Sequence, residues 1–221
     1  MKPKEERLRN SSLYLILDSG SLRHRDPCAV ARGALKGGVS MIQLRDKCSH
    51  TEDIIAYGRR LKVIAGKERA LFIINDRVDI CQALDADGVH LGEGDMPASD
   101  ARSLLGERKI IGMTCRTVRQ ALSAYKDTAD YIAVGPIFNS PTKPELKPCG
   151  VDILRKVKRA ASIPLVAIGG ITEGNITSVV NGGADIVAVG SALLRATDIE
   201  GAAASLAKKM MTIRKMNHDA T

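Results

Sequence analysis

The stretch VSMIQLRDKCSHTEDIIAYGRRLKVIAGKERALFIIND, residues 39–76, holds a complete strand–helix–strand unit. Its ends, Val39–Leu44 and Leu71–Ile74, are short aliphatic runs of the kind found in parallel strands buried on both faces. Between them Ile54, Ile55, Gly58, Leu61, Ile64 and Ala65 recur at helical spacing. Ser49 with Glu52 reads as a capping box at the start of that helix. Working outward, further strand-like runs lie at Leu13–Leu17, Gly88–Leu91, Lys109–Met113, Tyr131–Val134, Pro164–Ile168 and Ile186–Val189. Thr117 with Gln120 repeats the capping signal, and Ala203, Leu206, Met210 and Ile213 stripe the last helix. Eight alternations without a linker predict an α/β chain folded as a single (β/α)8 TIM barrel over residues 1–221, with short polar extensions at both ends. A doubly wound open sheet is the alternative. It usually has fewer strands, and only Gly20 stands where its GxGxxG fingerprint belongs.

Composition narrows the function. The chain has 221 residues, 44% of them hydrophobic and 26% charged, an ordinary globular balance that needs no disulfide or metal staple. No apolar run reaches transmembrane length, and Leu13–Leu17 is too short for a signal peptide, so a cytoplasmic protein with no membrane partner is expected. Cysteines 28, 48, 81, 115 and 149 include no CxxC pair and are read as small buried apolar residues of a reduced chain. Cys48 and His50 are too few ligands for a zinc site. The net charge of +8 raises nucleic-acid binding. Against it, aromatics make up 3%, and the basic clusters (Lys2, Lys4, Arg7, Arg9; Lys208, Lys209, Arg214, Lys215) read as solvated helix faces near the termini. A small anionic substrate accounts equally well for a basic balance.

Polar and glycine residues gather where the expected strands end: Asp18; Gln43, Arg45 and Lys47; Asn75 and Asp76; His90, Gly92 and Asp95; Thr114; Gly135, Pro136 and Lys143; Gly169-Gly170; Gly190-Ser191. The opposite ends show no such concentration in the sequence. In a TIM barrel the C-terminal strand ends form the active face. Alternation sets Gln43, Arg45 and Lys47 on one side of their strand, an amide, a guanidinium and an ammonium suited to phosphate oxygens. An ion-pair network with Asp46 or Asp18 would use the same groups. Asp76 and Asp95 suit Mg²⁺, which takes one or two carboxylates together with substrate phosphates and water. Both also suit helix N-caps. The Gly169-Gly170 and Gly190-Ser191 pairs occupy the usual phosphate position of such barrels, where backbone N–H groups can approach an anion. His90 reads as a hydrogen-bonded barrel residue rather than a base.

At this point the chain resembles a known family. Gln43-Leu-Arg-Asp-Lys47, Asn75-Asp-Arg77, Gly88-Val-His-Leu-Gly92 with Asp95, Val134-Gly-Pro-Ile-Phe138 with Thr142-Lys143, and Ile168-Gly-Gly-Ile171 together resemble thiamine phosphate synthases, from about Tyr14 to Leu194. The resemblance implies condensation of 4-amino-5-hydroxymethyl-2-methylpyrimidine diphosphate with hydroxyethylthiazole phosphate, giving thiamine phosphate and diphosphate. It assigns Gln43, Arg45, Lys47, Asn75 and Lys143 to the diphosphate side, Asp76 and Asp95 to Mg²⁺, and Thr114 to the pyrimidine. Ser140 to Thr142, Gly170, Gly190 and Ser191 go to the thiazole phosphate. The chain departs from the usual pattern at Glu93-Gly94, at Cys115-Arg116 and at Ser140.

The charges agree with that chemistry. An alkyl diphosphate carries about −3 near neutral pH, extrapolating from phosphate monoesters. Arg45, Lys47, Lys143 and Mg²⁺ against Asp76 and Asp95 make a site near +3, matched to a departing diphosphate. The aminopyrimidine can delocalise charge on its methylene, so a dissociative displacement needs no protein base, only a nearby thiazole nitrogen. The alternatives are a thiazole tautomerase-like paralogue, which does not need the diphosphate and metal set, and another phosphate-binding barrel enzyme. The loop 139–150, with three prolines, is expected to act as a lid carrying Lys143. Phosphorylated small molecules are the expected partners, with a homo-oligomer possible.

Overall fold

In the computed structural model, which describes residues 3–22, 25–140 and 144–219, eight parallel strands close into a barrel in sequence order. They are β1 (Leu13–Asp18), β2 (Met41–Arg45), β3 (Leu71–Asn75), β4 (Gly88–Leu91), β5 (Ile110–Cys115), β6 (Tyr131–Val134), β7 (Leu165–Ile168) and β8 (Ile186–Val189). The helices are α1 (Lys4–Arg9), α2 (Pro27–Lys36), α3 (Thr51–Lys67), α4 (Val78–Ala83), α5 (Ala98–Leu105), α6 (Val118–Lys126), α7 (Asp152–Ala160), α8 (Ile176–Asn181), α9 (Ser191–Leu194) and α10 (Ile199–Asp219). The expected TIM barrel is present, and all eight expected strands form within two residues of their anticipated limits.

Strand alternation divides the apolar side chains into two cores. Leu13, Leu15 and Leu17 of β1 face the helices, while Tyr14 and Ile16 face the barrel axis. Around that axis Met41, Leu71, Ile73, Ile110 and Val166 pack with the two tyrosines Tyr14 and Tyr131. Glycine makes room for them. A Cβ at position 112 would lie 2.0 Å from Cζ of Tyr131, so only glycine fits there. The stripe Ala203, Leu206, Met210 and Ile213 seats α10 on the barrel, packed beside α2 and α8.

The two capping signals part company. Thr117 and Gln120 form the full capping box of α6. Ser49 does not cap α3; its hydroxyl and N–H both turn back to Asp46, and His50 holds the N-cap position. Three cysteines are buried, but Cys48 is exposed and Cys149 only half-buried, which corrects the uniform reading of the five.

The N-terminal end of the barrel departs furthest from expectation. Residues 4–9 are no loose polar extension. They form α1, whose Leu8 enters the inner core while Lys4 pairs with Asp130 and Arg7 with Asp87. Those two cations are therefore not solvated. Nor is this end poor in polar groups. Asp87, Asp130 and Asp185 each stand one residue before an even-numbered strand. Each accepts an N–H from the start of the preceding strand, that of Phe72, Ile111 and Leu165, at 2.8 Å. Each returns its own N–H to that same residue's carbonyl, at 2.9, 2.7 and 2.8 Å. In the first strand pair Ser40 does this work, its hydroxyl accepting from Ser12 N at 2.9 Å and its N–H bonding Leu13 O. The base of the barrel thus carries three aspartate clamps and a looser serine version that spans Ser12 and Leu13, with a basic side chain added at each aspartate: Arg7, then Lys4 with Arg102, then Lys158.

Beside these clamps the Asp85 carboxylate accepts from Lys109 and Lys62, which hold its pKa down at about 2 against an ordinary 3.8. A depressed acid contributes stability that is present above pH 3.8 and is lost as pH falls through about 2. Because the carboxylate is largely exposed, the contribution is small. Asp85→Asn is expected to lower Tm by about 1–3 °C near neutral pH. That difference should close as the melting buffer is taken from about pH 4 toward about pH 2. A gap independent of pH would show that the ion pairs are not its source.

Candidate active site

The C-terminal ends of the strands open on a cleft of about 1000 Å³, part of it open to solvent. Gln43, Asn75, Thr114, Ser140, Gly170 and Ser191 all reach its wall, as do Arg45 and Gly190. The strand-end residues read from sequence are therefore brought together in space. Thr142 and Lys143 lie outside the described residues.

Arg45 ends β2 and pairs with Asp18, which ends the neighbouring β1 and also accepts from Ser21 Oγ at 2.6 Å. Asp18 lines the cleft and was not among the candidate site residues. Its signal was present, a carboxylate at a strand end in register with Arg45. Its charge offsets that of Arg45. A second residue missed in the sequence, Arg116, follows β5, lines the cleft and donates from Nη2 to the carbonyl of Lys147 at 3.1 Å. It ties the 144–150 segment to the β5–α6 turn, and Leu146 of that segment also reaches the cleft.

Beside the cleft the carboxyl groups of Asp76 and Asp95 are hydrogen-bonded to each other, and Asp76 Oδ2 lies 2.9 Å from Lys47 Nζ. Neither acid is an N-cap: that position belongs to Arg77 for α4 and to Pro97 for α5. Asp76 sits at φ 61°, its N–H bonded to His90 O. Burial pushes its carboxyl up, but the hydrogen bonds from Lys47 and Asp95 outweigh this and hold its pKa below the usual range. For Asp95, burial and then the neighbouring Asp76 push the other way, above the usual range, although its Oδ2 accepts from Gly92 N at 2.6 Å. Two close acids whose pKa values are driven apart titrate as a pair. A divalent cation could be held between the two carboxylates. No cluster of three or more acidic, cysteine or histidine side chains suited to a metal occurs among the described residues. The donor set fits Mg²⁺, which keeps water and substrate oxygens as its other ligands.

Below these charges a hydrogen-bonded chain crosses the barrel interior. Gln43 Nε2 donates to Tyr14 Oη at 2.7 Å, and the two tyrosine hydroxyls lie 3.1 Å apart. Tyr131 Oη is 2.9 Å from His90 Nδ1, and His90 Nε2 is 2.8 Å from Thr114 Oγ1. His90 is the hydrogen-bonded barrel residue expected of it. Gln43 lies deeper than Arg45 on the same inward side of β2, with one amide N–H already given to Tyr14.

On the far wall Gly170 sits at φ 65°, where a Cβ would come within 2.3 Å of Asn139 O. A side chain there would both strain the backbone and close the cleft. Gly190 is different: its φ of −113° is not left-handed, and a Cβ would meet nothing closer than 3.8 Å. It precedes α9, whose end is held by Arg25 donating to the carbonyls of Leu194 and Ala196. The first-turn N–H groups of such a helix have no partner within it and face the end of β8.

Residues 13–193 match the family model described as thiamine monophosphate synthase. Thiamine-phosphate synthase of Chloroflexus aurantiacus is 43% identical over 195 residues, 88% of this chain and 90% of that protein. The same enzyme of Syntrophomonas wolfei is 43% identical over 196 residues, 88% and 94% of the two chains. Among solved structures, thiamine phosphate pyrophosphorylase of Pyrococcus furiosus superposes with a TM-score of 0.86 at 36% identity, covering 94% of this chain and 98% of that one. A geranylgeranylglyceryl phosphate synthase of Thermoplasma acidophilum, TM-score 0.69 at 16% identity, shares the fold alone. No helix among the described residues is long and apolar enough to cross a membrane. With the barrel, the strand-end cleft and these relatives in agreement, the chain belongs to the thiamine monophosphate synthase family of transferases.

Proposed function

We propose that the chain joins 4-amino-5-hydroxymethyl-2-methylpyrimidine diphosphate to hydroxyethylthiazole phosphate, with diphosphate as the leaving group. The observation that carries this reading is the layout of the strand ends. Arg45 lines the cleft at the end of β2 with Lys47 and the paired acids beside it, and glycine-rich turns line it at the ends of β7 and β8. A tautomerase acting on the thiazole alone would have no use for the first set.

Asp76 and Asp95 would hold Mg²⁺, which when bound supplies positive charge to the diphosphate oxygens. Arg45, Lys47 and Lys143 stabilise the same oxygens as the C–O bond breaks, an interaction that grows toward the transition state and so lowers the barrier. Asp18 keeps Arg45 extended along the cleft. Thr114 contacts the pyrimidine. Ser140, Thr142, Gly170, Gly190 and Ser191 hold the thiazole phosphate, so that the ring nitrogen stands close to the electron-poor methylene.

The direct test is incubation with both substrates and Mg²⁺, followed by oxidation of any thiamine phosphate to fluorescent thiochrome. No thiochrome above a protein-free control would refute the reading. The two anion sites should also separate by calorimetry. Arg45→Ala is expected to weaken diphosphate binding by about 10- to 100-fold and to leave the thiazole phosphate within about twofold. Gly170→Val should reverse that pattern, since its Cβ invades the opposite wall. Equal losses of both ligands in both variants would contradict the assignment.

A further inference from the structure

The buried chain Gln43–Tyr14–Tyr131–His90–Thr114 can carry its protons in only one direction once its first member is fixed. Gln43 presents its amide nitrogen to Tyr14, so Tyr14 Oη accepts there and must give its own proton to Tyr131, its other partner. Tyr131 Oη, having accepted, gives its proton to His90 Nδ1. A neutral imidazole that accepts at Nδ1 carries its proton on Nε2, which donates to Thr114 Oγ1. Thr114 then has one hydroxyl proton left, and it can only point into the cleft that Thr114 lines. At the other end the Gln43 oxygen has no donor among the described residues, and Gln43 lines the same cleft. Burial raises the cost of removing either phenolic proton, so both tyrosines keep theirs.

We infer that this chain is a polarity selector: it fixes an acceptor at Gln43 and a donor at Thr114, and so admits a heterocycle that offers a donor group to the first and an unprotonated ring nitrogen to the second. His90, Tyr131 and Tyr14 act through other groups and are positioning residues. The inference deepens the proposed function and rests on it for the identity of the ring. A 4-aminopyrimidine offers both groups. Its 4-oxo counterpart presents an oxygen and an N–H instead, so both contacts oppose, and a buried polar mismatch is costly. The relay gives this discrimination without any charged group touching the ring. Gly112 belongs to the device, since it leaves the space that Tyr131 needs to reach both partners.

Two measurements test it. The first needs no ligand: ¹⁵N shifts of the His90 ring in the free protein. The inference requires a protonated Nε2 and an unprotonated Nδ1; the opposite tautomer overturns it. The second compares inhibition constants of the 4-amino and 4-oxo forms of 5-hydroxymethyl-2-methylpyrimidine diphosphate. These are read in the parent protein and in Tyr131→Phe and Tyr14→Phe, each of which removes one oxygen and keeps its ring. The parent protein should favour the amino form by about 100-fold or more, and either variant should cut that ratio at least about tenfold. Thiazole phosphate binding in the same variants reports whether they are folded. A ratio unchanged in a variant that still binds the thiazole phosphate overturns the selector. If the parent protein binds neither pyrimidine, the proposed function itself fails, while the His90 tautomer still reads the proton direction independently.

Discussion

Asp76→Asn is expected to lower turnover by about 10²- to 10⁴-fold, equivalent to about 3–5 kcal/mol of transition-state stabilisation, with little change in Tm. Asparagine is the right replacement for the backbone. Asp76 sits at φ 61°, a region that asparagine tolerates better than other side chains except glycine. Its N–H to His90 O is a backbone contact and survives the change. What disappears is one of two carboxylates and the partner of Lys47 Nζ. A neutral amide leaves Asp95 without its neighbouring carboxylate and halves the negative charge available to a divalent cation. The measurement is thiochrome formation across a Mg²⁺ titration beside thermal melts monitored by circular dichroism. In the parent protein, excess chelator should abolish turnover. Full activity in chelator, or a variant within about threefold of the parent, would remove Asp76 and the metal from the reaction.

At the opposite end of the barrel, Asp130→Ala should be the most damaging of the clamp substitutions, by about 3–5 kcal/mol. Asp130 accepts from Ile111 N at 2.8 Å and from Arg102 Nη2 at 2.6 Å, and pairs with Lys4 at 2.8 Å. The Arg102 side chain is only 8% exposed and its Nε already lacks a hydrogen-bond partner. Deleting the carboxylate therefore strands a buried guanidinium, which keeps three backbone carbonyls and a long pairing with the exposed Glu107 at 4.0 Å. It also frees α1 at Lys4. For a chain of this length the loss corresponds to a fall in Tm on the order of 10 °C. Asp130→Asn, which retains an oxygen for Ile111 N, should cost about half as much. Urea denaturation of the three proteins reads this directly. A loss below about 1 kcal/mol in the alanine variant would show that Arg102 finds compensation elsewhere.

Hydrophobic periodicity carried most of the architecture because parallel strands buried on both faces are nearly all aliphatic. Ile132 and Val134 alternate with Tyr131 and Ala133, and both sets are buried. Polar interruptions of those runs were equally readable, which is why Arg45, Asn75, Thr114 and Ser191 converge on one cleft as expected. Three things were hidden for definable reasons. The choice of Asp18 rather than Asp46 as the partner of Arg45 depends on strand register, which no local pattern encodes. The hydrogen-bonded chain links residues 24 to 117 positions apart, each of which looks in isolation like an ordinary strand residue. The ion pairs of α1 were missed because a short charged segment at a chain end carries too little apolar pattern to separate a docked helix from a solvated one. Leu8 was the only apolar anchor. The two capping boxes make the same point in miniature. Thr117 had no competitor, whereas Ser49 stood three residues after an aspartate that took its N–H and hydroxyl instead.

The clamps at the base have a consequence for how the barrel comes into being. Their aspartate versions join residues only 15, 19 and 20 positions apart, and the serine version 28. Each pair of strands can therefore be secured by a short loop at small entropic cost, before the ring exists. Only the seam between β8 and β1, closed by Val187 N on Ser12 O, requires nearly the whole chain. The molecule is then less a hoop bent shut than four two-strand modules set side by side. The turn at Gly106, at φ 72° with open space around it, divides them two and two. A chain severed there would keep each strand-to-strand pair of hydrogen bonds within one half, while Lys4 and Arg102 of the first half would find Asp130 only in the second, so that this pairing would help the two pieces complement one another into a working barrel.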